Sequence, residues 1–447
     1  MLYPIVESQR SLLATWTAWA EAVTSGWIEP ANPWARFAAA SCIAAGWALC
    51  NRFGQAYQKP AFGITALNYN GRMIPVTEHV ALDHPFCRLL RFAPDTTGGS
   101  VAGPEPQPVV LVCAPLAGHH AVLLRELIET LLPEHVVYVT DWKDARRVPT
   151  ADGPFTLEDC VAEVQTAILH IGAEQLHVLA ICQAAVPALA AVSLLASAGE
   201  PTPRSLILMG GPIDARRSPT AVGRLAARLS LTWFEQNLIH VVPDPYPGAG
   251  RKVYPSFLQL AGLAAAQPDR LVRAHCDYYV DLVRGDVKHA EVHRRQCDEY
   301  NAVLDLAAEF YLDTIRIVFQ EFRLAVGDWD VQGQPVRPQD IRTTALLTIE
   351  GELDAISGRG QTHAAHDLCR GVPVRHKRHL TASRCGHYDL FSGRRLQTEV
   401  FPHIDDLIRQ YSPAPQPATS SAHGTPARTM ATMGRPATPP WTPPIYR

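Results

Sequence analysis

From residue 109 onward the apolar positions fall in short unbroken runs separated by amphipathic stretches. VVLVCAP (109–115), HVVYVTDW (135–142), LHVLAIC (176–182) and SLILMGGP (205–212) are rich in Val, Ile and Leu and of strand length. Each reads as a strand buried on both faces. Between them, AVLLRELIETLL (121–132), TLEDCVAEVQTAILHIG (156–172) and AAVPALAAVSLLASA (184–198) have helical patterning or composition. Thr156 with Asp159 three residues on marks a helix N-terminus. Strand and helix in alternation predict a parallel sheet covered by helices on both faces. The alternation breaks over 214–330, which reads mainly as helices, the position of a cap or lid. Strands resume at TALLTIEGELD (344–354) and near 376–383, and a helix near 403–411 closes the domain.

The flanks differ in pattern. Residues 1–93 combine two Ala/Trp-rich helical stretches, near 5–27 and 34–50, with a β-like segment, and are expected to pack on the core. Residues 94–108 have the Gly/Pro composition of a linker. The sheet core is therefore expected at 109–213 and 331–411. The tail, 412–447, holds nine Pro and no acidic residue, too little apolar surface to fold alone, and is expected to be disordered. The stretch 175–199 has no Asp, Glu, Lys or Arg, long enough to suggest a membrane helix. It contains Gln183 and Pro187 and divides into a strand and a helix, so no membrane span is expected.

Composition narrows the function classes. The 447 residues are 47% hydrophobic and 19% charged with a net charge of −3, which excludes a basic nucleic-acid binder. Ten Cys are scattered with no C-x-x-C pair, fitting neither a zinc site nor a disulfide framework. With no basic, apolar leader at the N-terminus, a reducing compartment, the cytoplasm, is expected.

The chemistry concentrates at one turn. Where a parallel sheet of this kind holds its nucleophile, between a strand and the next helix, an α/β-hydrolase carries G-x-S-x-G. Here the place is taken by Ala180-Ile181-Cys182-Gln183-Ala184: small, any, Cys, any, small. The fold's chain order of nucleophile, acid, histidine then points to Asp354, which begins the loop after a strand, and to His387 in CGHYDLFSG. Glu350 and Glu352 compete for the acid, and His363, His366, His376 and His379 for the base. As a set, Cys182, Asp354 and His387 make a thiol nucleophile, a tautomer-fixing acid and a general base. The oxyanion donors expected are the N–H of Gln183 and that of Leu116 in the loop APLAGHHA, with Ala117 the alternative to Leu116. His119-His120 lack a carboxylate partner at ligand spacing, and neither a metal nor a cofactor is expected. The expected fold class is an α/β-hydrolase with a helical cap.

The segments APLAGHHAVLLR, VYVTDWKDAR, HVLAICQAAVP, MGGPIDARRSPTAV, YNAVLDLAAEFYLDTIR, TIEGELDAISGRGQTHAAHDLC and CGHYDLFSGRR resemble those of intracellular poly(3-hydroxybutyrate) depolymerases, as do the opening MLYPIVESQRSLL and YQKPAF (57–62). The resemblance spans residues 1 to about 411. It implies an ester hydrolase acting on stored polyester granules inside the cell, with the triad carried by Cys182, Asp354 and His387. The expected partner is the granule surface, and the acyl acceptor is water or coenzyme A. The cap region holds 13 of the 35 aromatic residues, apt for an apolar polyester, with Trp233, Phe234 and Tyr278 as candidate substrate contacts. Trp16, Trp19 and Trp27 read either as granule contacts or as core. A polyhydroxyalkanoate synthase-like acyltransferase would carry Gly where Ala180 and Ala184 stand, and a non-catalytic granule protein would not need an ordered triad.

Overall fold

The charge-free runs become the interior of a mostly parallel sheet. A computed structural model describes residues 2–25, 38–54, 57–69, 71–95, 108–266 and 268–413. Nine strands form the central sheet among them: β1 (Ala66–Tyr69), β2 (Arg72–Asp83), β3 (Cys87–Pro94), β4 (Val109–Cys113), β5 (Val136–Trp142), β6 (Leu176–Ile181), β7 (Ser205–Met209) and, after the insertion, two more at Ala345–Gly351 and Lys377–Ala382. From β5 the order runs β5-β4-β6-β7 and on to these two, parallel throughout. Strands β1, β2 and β3 extend the sheet beyond β5 through antiparallel pairs. The sheet thus begins well before residue 109. Sequence patterning conceals this, because β2 is largely exposed and carries no unbroken apolar run.

This strand order, with one antiparallel strand beside β5 and crossover helices on both faces, is that of the α/β-hydrolase fold. The helices follow the sequence closely. Helix α1 (Leu2–Ser25) and α2 (Ala38–Gly54) form the N-terminal pair, followed by α3 (Arg125–Leu131), α4 (Leu157–Ile171) and α5 (Ala185–Ser197). Thr156 caps α4 reciprocally: its Oγ1 accepts from the Asp159 N–H at 3.2 Å, and Asp159 Oδ2 accepts from the Thr156 N–H at 2.7 Å. Strand β6 is buried along its whole length and α5 along its first eleven residues. The charge-free stretch is therefore domain interior, and no helix among the described residues is long and apolar enough to cross a membrane. Pro187 stands in the first turn of α5, where its missing N–H costs no helical bond.

The insertion carries α6 (Ala221–Arg228), α7 (Leu231–Leu238), α8 (Ser256–Ala266), α9 (Pro268–Arg284), α10 (Val287–Asn301) and α11 (Ala308–Asp313), which continues to Gln320 in wider turns. It also contains β8 (His240–Val241), β9 (Lys252–Tyr254) and β10 (Leu306–Ala307) in a small antiparallel sheet, then β11 (Asp330–Val331) and β12 (Gln334–Pro335) in a ribbon. The strands at Ala345–Gly351 and Lys377–Ala382 are β13 and β14. Tyr3 pins α1 to this region, its hydroxyl donating to Asp305 Oδ2 at 2.5 Å in a buried contact. The outer face of α1 stays bare: Leu12, Leu13, Trp16 and Trp19 are each more than half exposed. Trp27, most of the 94–108 linker and the tail from 414 lie outside the described residues.

Candidate active site

Cys182 follows β6 directly and opens the helical turn Cys182–Ala184 that runs into α5. Its φ of 53° is left-handed, a strained conformation for a side-chain-bearing residue. Only small neighbours permit so sharp a turn. Ala180, Ala184 and Ala185 flank it, and Gly211, at the exit of β7, approaches so closely that a Cβ there would stand 2.2 Å from Ala185 Cβ and 2.9 Å from the Cys182 carbonyl oxygen.

The acid and the histidine arrive from the next two strands. Gly351 ends β13 against Cys385, with room for no Cβ: one would meet the Cys385 carbonyl oxygen at 2.5 Å. The Leu353 N–H then donates to that carbonyl at 2.9 Å, which brings Asp354 beside the turn carrying His387. Asp354 Oδ2 lies 2.7 Å from His387 Nδ1, and both side chains are almost fully buried. Because a carboxylate only accepts, Nδ1 carries the proton. Asp354 Oδ1 accepts the N–H groups of Ile356 and Ser357, both at 2.8 Å. His387 also hydrogen-bonds the Cys182 thiol. Burial disfavours a charged imidazole here. The charge of Cys182 and the hydrogen bond to Asp354 outweigh it and raise His387 to about 10.

The structure thus brings together Cys182, Asp354 and His387. Glu350 spends its oxygens on the N–H groups of Gly360 and His363, and Glu352 accepts from that of Arg384. Neither is the partner of His387. Of the other thiols, burial pushes Cys113 and Cys385 up to about 12, as expected of inert core Cys.

The two expected oxyanion donors leave the same edge of the sheet. Cys113 pairs with Ala180 across β4 and β6, so Leu116 and Gln183 each follow three residues later. Gly118, at φ 99°, turns this loop: its N–H donates to the Leu116 carbonyl at 2.9 Å and its carbonyl accepts from Leu304 at 2.8 Å. His119 is buried against Tyr300 and Tyr388, the residue next to His387. Gln183 ties the nucleophile turn to the cap, its Nε2 donating to Thr314 Oγ1 at 3.1 Å.

The cap aromatics divide. Trp233 is 38% exposed, whereas Phe234 is buried among Ala226, Ile315 and Tyr311, and Tyr278 is buried under the Arg52 guanidinium. Phe234 and Tyr278 are thus packed within the cap, and Trp233 is the exposed one of the three. Adjacent helical positions point about 100° apart, so α7 buries one ring of its aromatic pair and exposes the other.

Sequence reasoning missed Gly210, Gly211 and Thr314. The Gly-Gly pair ending SLILMGG was the available signal, since close backbone approach needs Gly. It also passed over the grouping of His363, His366 and His379, which among the described residues form a set able to hold a metal ion. His119 and His120 are outside that set.

Residues 210–412 match the family model described as PHB de-polymerase C-terminus. The matched region contains the cap, Asp354 and His387, while Cys182 lies upstream of it. No curated protein sequence matches. Similar solved structures include a hydrolase from Pseudomonas aeruginosa (12% identity, 75% of this chain and 97% of that one, TM-score 0.42). Another is the monoacylglycerol lipase of Paleococcus ferrophilus (12% identity, 68% and 94%, TM-score 0.40). A third is the 2-hydroxy-6-oxo-6-phenylhexa-2,4-dienoate hydrolase of a Rhodococcus species (15% identity, 75% and 99%, TM-score 0.39). Over residues 210–412, which include β13, β14, Asp354 and His387, the chain is similar to the C-terminal region of PHB depolymerases.

Proposed function

We propose that the chain is a depolymerase that cleaves the ester bonds of stored poly(3-hydroxybutyrate) through a cysteine acyl-enzyme. The observation that carries this reading is the strained Cys182 hydrogen-bonded to a buried His387–Asp354 pair, in a chain whose C-terminal region matches PHB depolymerases.

With His387 raised to about 10, its Nε2 holds the proton taken from Cys182, and Cys182 Sγ attacks the ester carbonyl carbon. A C–S bond forms, the ester C–O bond breaks, and His387 gives the proton to the departing alkoxide, releasing a hydroxyl-ended fragment. Water then attacks the thioester, His387 takes its proton, and the thiol is regenerated as a 3-hydroxybutyrate oligomer or monomer leaves. A coenzyme A thiol in place of water would yield the acyl-CoA. The N–H groups of Gln183 and Leu116 hold the oxyanion in both steps. Asp354 holds the Nδ1 proton of His387, so that Nε2 is the nitrogen that exchanges a proton with Cys182 and the leaving group.

The bare face of α1 supports a granule-associated, cytoplasmic enzyme. Trp16 and Trp19, 68% and 63% exposed, stand edge to face with ring centroids 6.3 Å apart. They offer an apolar contact for amorphous polyester, and Trp233, 38% exposed on α7, offers another.

The test is release of 3-hydroxybutyrate from amorphous granules, with and without coenzyme A, beside the Cys182→Ala variant. Release without coenzyme A that vanishes in the variant is the expected result. Release only with coenzyme A, as the thioester, identifies a thiolytic transferase. Undiminished release by the variant overturns the cysteine mechanism, and no release by the parent enzyme turns the reading to a synthase-like or granule-coating protein.

A further inference from the structure

A second cluster of functional side chains lies on the outer parallel strands, away from the hydrogen bonds of the triad. In the β13–β14 register Thr348 faces His379 and Glu350 faces Thr381. Side chains two apart share a face of a sheet, so these four stand together. The chain leaving β13 folds back over that face because Glu350 is bonded to its backbone: Oε2 accepts the Gly360 N–H and Oε1 the His363 N–H, both at 2.9 Å.

The returning segment brings His363 and His366 beside His379. The His363 and His366 rings stack at 4.7 Å and 11°, and His363 meets His379 at 4.5 Å and 76°. One ring nitrogen from each of the three lies within 4.8 Å of the others. Thr348 Oγ1 sits 2.8 Å from His366 Nε2 and 2.8 Å from His379 Nδ1; its one proton goes to one ring and it accepts from the other, which ties the two rings to β13. The opposite nitrogen of His379 is held by Thr381 Oγ1 at 3.0 Å, with Glu350 Oε2 at 3.9 Å. That is how a metal-ligating imidazole is usually oriented from behind. Among the described residues, the ring of His363 takes no hydrogen bond.

Three imidazoles this close repel one another when protonated. Grouped this closely, three imidazoles, with one ring nitrogen from each, are ligands for a borderline divalent cation.

We propose that His363, His366 and His379 bind a divalent cation of the zinc class. Glu350 lies outside the ligand set, since both its oxygens are engaged by backbone N–H groups, and it supplies a compensating negative charge. The loop from Gly351 to His363 carries Asp354. A cation held at its far end would fasten that loop to β14, making the site a structural clamp with no part in the bond-breaking steps.

The test uses the full chain, stripped with a chelator, incubated with Zn2+ and desalted. Metal content and the thermal midpoint are then measured. One equivalent of zinc retained, with a higher midpoint, is expected for the parent and for Cys182→Ala. His363→Ala, whose lost ring makes no hydrogen bond, is expected to lose both the zinc and the shift while keeping the parent circular dichroism spectrum. His379→Gln provides the same comparison if His363→Ala does not fold. The proposal is overturned if the parent retains no zinc. It is equally overturned if a folded His363→Ala or His379→Gln variant retains zinc as the parent does, or if Cys182→Ala abolishes retention, which would place the metal at the triad thiol.

Discussion

Replacing Asp354 by Asn removes a charge without removing volume, and the surrounding hydrogen bonds dictate the outcome. Oδ1 receives two backbone N–H groups at 2.8 Å, from Ile356 and Ser357, while Oδ2 receives one bond from His387 Nδ1 at 2.7 Å. The amide has one oxygen for these two places. Turning its NH2 toward Ile356 and Ser357 would leave two buried N–H groups facing donors, at about 1–3 kcal/mol each. Turning the NH2 toward His387 sets a donor against the Nδ1 proton alone, a clash that a change of tautomer relieves, and this orientation wins. His387 must then accept at Nδ1 and carry its proton on Nε2, the nitrogen that should receive the thiol proton. A wrong tautomer of this kind costs about 10^4 in kcat, or about 5.5 kcal/mol of barrier at 1.36 kcal/mol per decade. The assay is 3-hydroxybutyrate release from amorphous polymer, run beside urea unfolding. The expected variant is close to the parent in stability and slower by about four decades. Turnover within about tenfold of the parent, a barrier change of only about 1.4 kcal/mol, would refute the tautomer argument.

Three further outcomes follow from the same geometry. Gly211→Ala forces a Cβ to 2.2 Å from Ala185 Cβ and 2.9 Å from the Cys182 carbonyl oxygen. It should destabilise by about 1–3 kcal/mol in urea titration and slow turnover by displacing Cys182, and unchanged values in both would sink the tight-turn argument. His387 titrates near 6.5 unfolded and about 10 folded. Its contribution is therefore fully present below about 6.5 and lost as pH rises through about 10. Unfolding midpoints should fall across that window more steeply in the parent than in Cys182→Ala, and equal slopes would contradict the coupling. Trp16→Ser with Trp19→Ser should weaken adsorption to amorphous polymer, by about 2 kcal/mol per ring if each is fully buried there. Turnover of a short soluble ester should not change, and unaltered adsorption would remove α1 from the granule contact.

The local pattern of the chain determined much of this protein by itself. Unbroken Val/Ile/Leu runs marked β4 to β7, a Thr-x-x-Asp signature marked the start of α4, and small residues around Cys182 marked the turn. These are properties of neighbouring residues, set by backbone sterics and by which face is apolar. Other features depended on which distant segments meet. The antiparallel strands β1 to β3 join the sheet through backbone bonds that no side-chain period reveals. Phe234 and Tyr278 are buried, and Trp233 is not, only because of the helices packed around them. Chain order and the loop CGHYDLFSG favoured His387 over His363, His366 and His379, but its contact with Asp354 was not legible there, since all four follow Asp354 closely in the chain. Tertiary structure decided it where Gly351 lets β13 end against Cys385, so that the Asp354 carboxylate faces one imidazole while Glu350 fastens the loop that carries two of the others.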